Sequence, residues 1–152
     1  MANKNEQIIR ALRKIPLWDN LSDKELESVY LRCKPQKTAV NQVIFREGDP
    51  SHDLYVLLSG RVNIMTQKKG QIHTVTENET FGEIGLVTKN VRSATAISTS
   101  PCNMLRMTLF DFNDLLENDP RISALMMRNI TTSLSQHIIR MNHSDPEYIS
   151  DN

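Results

Sequence analysis

The sequence predicts a mainly β protein with flanking helices: an antiparallel β jelly roll, closed as a barrel or split into two sheets. Three observations carry that prediction. Between residues 40 and 107, short runs of apolar and β-branched residues alternate with turn formers. On either side, apolar residues recur at helical spacing behind cap signals. The length, 152 residues, suits one domain with one sizeable core and little more.

The N-terminal segment, residues 1–35, reads as helical. From Asn5 to Lys14 the sequence sets Ile8, Ile9, Leu12 and Ile15 at helical spacing, and Pro16 stops the run. Leu17 and Trp18 then fall in a short connection. Ser22-Asp23-Lys24-Glu25 is a capping box, flanked by Leu21 and Leu26 as a hydrophobic staple. The helix it starts carries Leu26, Val29 and Tyr30 on one face and ends before Pro35. From Lys37 the period changes, and residues 36–108 read as a β-barrel. Its strand-like runs are Val40, Val43–Phe45, Leu54–Leu58, Val62–Ile64, Ile72–Val75, Ala94–Ile97 and Met104–Met107. Glu47-Gly48-Asp49-Pro50, Ser59-Gly60, Lys69-Gly70 and Asn78 supply the turns.

Two helices are expected over residues 109–142. Thr108 caps the first, with Asp111 at its third position and Phe110, Leu115 and Leu116 as apolar contacts. Asp119 caps the second, and Pro120 sits in its first turn, where a missing N–H does no harm. That helix, about Pro120 to Met141, sets Ile122, Met126, Ile130, Leu134, Ile138 and Met141 near one face. Residues 143–152 are polar, contain Pro146, and read as a frayed tail.

The chemistry concentrates between Phe81 and Ala96. Gly82 removes a side chain where the backbone must come close to a ligand. Glu83 is acceptor-only, which suits sugar hydroxyls and repels a phosphate. Arg92 offers a planar fork of N–H donors that matches phosphate oxygens in pairs. Ile84-Gly85-Leu86-Val87 forms one helical turn whose free N–H groups add an anion site. Donors and an acceptor side by side are what a ribose bearing one phosphate requires. The bland alternative is that Glu83 and Arg92 merely pair with each other in a surface loop.

These residues also carry a resemblance. F-G-E-I-G-L followed by R-S-A-T is similar to the phosphate-binding cassette of the cyclic nucleotide-binding domain family, F-G-E-[LI]-[AG]-L…R-[AST]-A-T. The resemblance implies that Arg92 binds the cyclic phosphate and Glu83 the ribose 2′-hydroxyl. Phe81, Gly82, Ile84, Gly85 and Ala94 would complete the cradle, and Ser93 would touch phosphate or base. Val91 stands where many members have Pro. I-P-L-W-D-N-L-S-D-K-E-L and R-E-G-D…L-Y-V-L-L-S-G-R-V resemble the same family, so the likeness spans about residues 17–141. It implies a C-terminal helical lid that closes over the base and often forms a dimer interface. Thr131, Ser135 and His137 are then the candidate base contacts.

Composition bounds the rest. Lys plus Arg and Asp plus Glu balance at 18 each, so no basic field advertises nucleic acid or membrane. No apolar run approaches the ~20 residues that span a bilayer, and no signal peptide opens the chain, so a soluble cytoplasmic protein is expected. Cys33 and Cys102 read as free buried thiols. The four histidines, His52, His73, His137 and His143, show no metal-ligand spacing, and no local motif marks a nucleophilic triad, so neither an enzyme nor a cofactor is expected. About ten residues follow the last helix, too few for a helix-turn-helix. The expectation is a stand-alone sensor of cAMP, with cGMP as the lesser choice, that signals to an effector protein or a second copy. A scaffold that keeps the fold and binds only proteins is the competing reading.

Overall fold

The computed structural model describes residues 2–143. Of the tail expected over 143–152, all but His143 lies outside them. The chain opens with α1 (Lys4–Leu12), capped by Asn3, whose side chain accepts from the Glu6 amide at 2.9 Å. A 3-10 turn (Pro16–Trp18) leads to α2 (Asp23–Arg32). Ser22 and Glu25 form the reciprocal capping box, and Leu21 and Leu26 are both buried beside it.

Eight strands follow: β1 (Lys34–Thr38), β2 (Val43–Phe45), β3 (Leu54–Ser59), β4 (Val62–Thr66), β5 (Gly70–Val75), β6 (Thr80–Phe81), β7 (Thr95–Ser98) and β8 (Cys102–Met107). They pair antiparallel into two four-stranded sheets, β1-β8-β3-β6 and β2-β7-β4-β5. The sheets are not closed into a barrel, which corrects the β-barrel expected over residues 36–108: among the described residues no ladder joins the edge strands of one sheet to those of the other. Between β6 and β7 lies α3 (Glu83–Thr88), and the chain continues with α4 (Leu109–Asn118) and α5 (Pro120–His143).

Sheet β1-β8-β3-β6 is the middle layer, which explains its burial pattern. Along β3, Leu54 and Val56 pack with the helices while Tyr55 and Leu57 face the second sheet. Along β8, Leu105 and Met107 point one way, Cys102 and Met104 the other. Period-two alternation with apolar residues on both faces requires a layer on each side. The helical side draws on Leu12, Trp18, Val29, Leu115, Met126 and Ile130, so the N-terminal segment and α5 share one core.

Several elements depart from expectation. β1 begins at Lys34 and contains Pro35; Pro is tolerated because β1 lies at a sheet edge. Val40 sits in a turn and is 52% exposed. The two-residue β6 was too short to show a period. On α4, Leu115 is buried with Phe112, whereas Phe110 and Leu116 are exposed. The Asp119 carboxylate accepts from Arg32 at 3.1 Å, tying the α4–α5 junction to α2. On α5, Ile122, Met126 and Ile130 are buried, but Ile138 and Met141 at the same spacing are exposed. The helix outruns the core its first half covers.

Candidate ligand site

A cavity of about 500 Å³ opens between the second sheet, the β6–α3 segment and α5. Arg92 stands at one end and is only 4% exposed. Its position is fixed by the chain on all sides. The Arg92 amide donates to the Asp49 carbonyl, and the Gly48 amide donates to the Arg92 carbonyl, both at 2.8 Å. The R-E-G-D turn, with Gly48 at φ +89°, thus places the arginine's backbone. The side chain lies over the Phe45 ring, with Cζ 3.9 Å from the centroid. Phe45 in turn stands against Tyr55 and Phe81.

The guanidinium donates from Nε to Ser51 Oγ (3.0 Å), from Nη1 to the Gly82 carbonyl (3.0 Å) and from Nη2 to the Asp53 carbonyl (2.7 Å). A guanidinium has five N–H donors; these bonds use three and leave two. None of the three goes to Glu83, so the bland pairing of these residues is not how the arginine is held. Gly82 caps α3 with φ +81°, and a Cβ there would lie 2.7 Å from the Asp53 carbonyl and 2.9 Å from Arg92 Nη1. At Gly85 a Cβ would come within 3.1 Å of the same nitrogen. Both glycines make room for the guanidinium as much as for any ligand.

Glu83, the first residue of α3, also lines the cavity. Burial pushes its carboxyl above the ordinary range; a backbone hydrogen bond and the Arg92 charge pull the other way without cancelling it. A buried acceptor of this kind is relieved by a hydroxyl donor.

The structure therefore brings Phe81, Gly82, Glu83, Ile84, Gly85, Arg92, Ser93 and Ala94 to one cavity, which His137 from α5 also lines. Thr131 and Ser135 do not line it, which corrects their expected placement. Helical geometry gives the reason: the inward stripe runs Ile130, Ser133, Leu134, His137, and positions 131 and 135 are turned away from it. Thr131 spends its hydroxyl on the Met127 carbonyl at 2.8 Å. Sequence reading missed Ser51, Asp53, Phe45 and His73. Asp53 contributes to Arg92 a backbone carbonyl, which any residue type supplies, so no signal could mark it. Phe45 was visible only as the aromatic end of a strand.

Among the described residues no cluster of three or more His, Cys, Asp or Glu is placed to hold a metal ion, and no helix is long and apolar enough to cross a membrane. Cys33 and Cys102 are free, and burial, helped by Asp111, pushes the Cys33 thiol up to about 12.

Comparison with known proteins points to one family. Residues 35–119 match the family model of the cyclic nucleotide-binding domain. Rap guanine nucleotide exchange factor 3 of Homo sapiens is 34% identical over 108 residues, 70% of this chain and 12% of that protein. The cAMP-dependent protein kinase regulatory subunit of Schizosaccharomyces pombe is 25% identical over 120 residues, 72% of this chain and 28% of its own. An NTE family protein of Mycobacterium tuberculosis is 25% identical over 126 residues, and the chain spans only 22% of its length. Among solved structures, the regulatory domain of Toxoplasma gondii PKA with cAMP superposes with a TM-score of 0.65 at 28% identity, over 75% of this chain and 46% of that one. The Thermus thermophilus catabolite activator protein shares the fold, with a TM-score of 0.73 at 24% identity over 84% of this chain and 60% of its own.

Proposed function

The chain belongs to the cyclic nucleotide-binding domain family, and from that premise we propose that it is a sensor that binds cAMP in preference to cGMP and reports binding through α5. The observation that carries this reading is Arg92: buried, held from every side, and left with two donors beside a cavity that also holds Glu83. The cyclic phosphate takes the remaining donors. The ribose hydroxyl donates to Glu83, and Ser93, exposed at the cavity edge, touches phosphate or base. The preference for cAMP is supported by the relatives named for it in fission yeast and Toxoplasma.

Ligand shifts α5 only by its differential affinity for two arrangements of that helix. The wall stripe Ile130, Ser133, Leu134 and His137 gives the nucleotide a direct hold on the helix. Past that stripe, exposed Ile138, Ile139 and Met141 offer a surface to an effector or to a second copy of the chain. No step here is catalytic; the family is a ligand-binding domain.

Calorimetric titration with cAMP and then cGMP tests the reading, with a thermal melt of each variant to separate binding from folding. Saturable binding, weakened by about 1.5–3 kcal/mol in Glu83→Gln, is expected. A well-folded protein whose melting temperature neither nucleotide raises would instead be the protein-binding scaffold.

A further inference from the structure

We propose that Arg106 of β8 is a positioning residue for the ligand site: it holds the Asp53 carboxylate away from Arg92 and so keeps two guanidinium donors free for an anionic ligand. The inference rests on the nucleotide-binding reading and deepens it. The face that β8 turns to the second sheet carries Cys102 and Met104, both buried, and period two puts Arg106 next on that face. A cation there takes a place that packing would give to an apolar residue. Arg106 stands directly opposite Tyr55 of β3, so the two side chains share a face, and its guanidinium hydrogen-bonds the Tyr55 phenol. Tyr55 in turn stacks on Phe81, with ring centroids 5.1 Å apart at 13°. Asp53 lies two residues before Tyr55, and its Oδ2 is 3.6 Å from Arg106 Nη1. Both partners are partly buried, which sets this pair apart from the exposed Arg13–Asp23 pair.

The surroundings of Arg92 show why such a hold matters. The charges of Asp53, Asp49 and Glu83 all bear on its guanidinium, yet none of these carboxylates takes one of its three bonds. Each is engaged elsewhere. Asp49 accepts from the Arg46 amide at 2.8 Å, and Glu83 is hydrogen-bonded by its own backbone. Asp53 is the nearest competitor, because its carbonyl already accepts from Arg92 Nη2 at 2.7 Å. A carboxylate matches the guanidinium fork as a phosphate does. On so short a tether, one released from Arg106 reaches the free donors by a change of rotamer. A ligand phosphate would then have to displace it. Arg106 gives the Asp53 carboxylate a different cation and leaves only its carbonyl to Arg92.

The test is a double-mutant cycle in the full chain. Arg106→Met is combined with Asp53→Asn, which removes the charge and keeps the backbone carbonyl. Calorimetry with cAMP reads the cycle first. Arg106→Met is expected to weaken binding by about tenfold in the wild-type background and by less than about twofold in the Asp53→Asn background. A residue that only stabilises the fold would lose the same in both. An equal loss in both backgrounds, or a loss in neither, overturns the proposal.

The second readout needs no nucleotide. Side-chain N–H resonances of Arg92, assigned by their absence from Arg92→Lys, are followed by NMR in the same four proteins. Arg106→Met should move them in the wild-type background and leave them in place in the Asp53→Asn background. Resonances that stay put, or that move equally in both, overturn the proposal. If cAMP binds none of the four proteins, the nucleotide reading fails, and these resonances still decide what Arg106 does. A thermal melt checks each fold, and Arg106→Gln, polar but uncharged, replaces Arg106→Met should that variant not fold.

Discussion

Arg92 serves two ends at once. Truncating it to Ala leaves the Asp53 and Gly82 carbonyls without their donors and uncovers Phe45. We expect Arg92→Ala to cost about 2–5 kcal/mol of nucleotide binding and, in a melt without ligand, about 1–3 kcal/mol of stability. Arg92→Lys keeps a charge but lacks the fork, so it should lose both properties in part; full retention of either would contradict the geometry. Glu83 behaves oppositely. Its carboxyl titrates above the ordinary range because burial disfavours the charge. A group raised in this way contributes stability that is complete below its unfolded value and lost as pH rises through the folded one. In the free protein at neutral pH the ionised side chain is therefore a burden. Glu83→Gln should raise the melting temperature near pH 7 while weakening binding, and the gain should shrink on acidification. A gain that grows on acidification would reverse the assignment. Gly82→Ala carries no such compensation, since φ +81° and the Asp53 carbonyl both oppose a Cβ, and about 1–3 kcal/mol of stability should be lost.

At the scale of elements, what the sequence made legible was whatever rests on local contacts. The Ser22 capping box and the Thr108 cap each involve atoms three residues apart, and both form, the second as a reciprocal box with Asp111. The cassette was legible because Gly82, Glu83 and Arg92 lie within one short stretch. The edge strand β1 was hidden by Pro35, whose cost disappears only when its neighbours are known. The inward stripe of α5 was misread for a related reason. Periodicity finds an apolar face but not where along a helix the core stops, and Ile138 and Met141 continue the pattern past that point. One contact that sequence could not suggest holds the helix in place: Asn129 donates to the carbonyls of Leu17 (2.9 Å) and Asp19 (3.1 Å). Asn129→Ala should cost about 1–2 kcal/mol, read as a lower urea midpoint, and should loosen α5 from the 3-10 turn. An unchanged midpoint would mean that packing of Met126 and Ile130 alone seats the helix.

Over the whole molecule, the sole tryptophan is well placed as a reporter. Trp18 is buried in the 3-10 turn, in the same core as Met126 and Ile130 of α5. A nucleotide that resettles α5 should change its emission, and Arg92→Ala should abolish that change. An unresponsive tryptophan in a protein that binds cAMP by calorimetry would place the response elsewhere than in this helix. The cavity has one more consequence, for the order in which things happen. Its walls run from Pro16 to Arg140 and include both flanking helical segments and the second sheet. Such a site is assembled only when nearly the whole chain has found its place, so a nascent or half-folded chain presents nothing for a ligand to hold. Nucleotide should then slow the unfolding limb of a chevron and leave the refolding limb untouched. In a cell that would make the liganded protein long-lived without making it any quicker to mature.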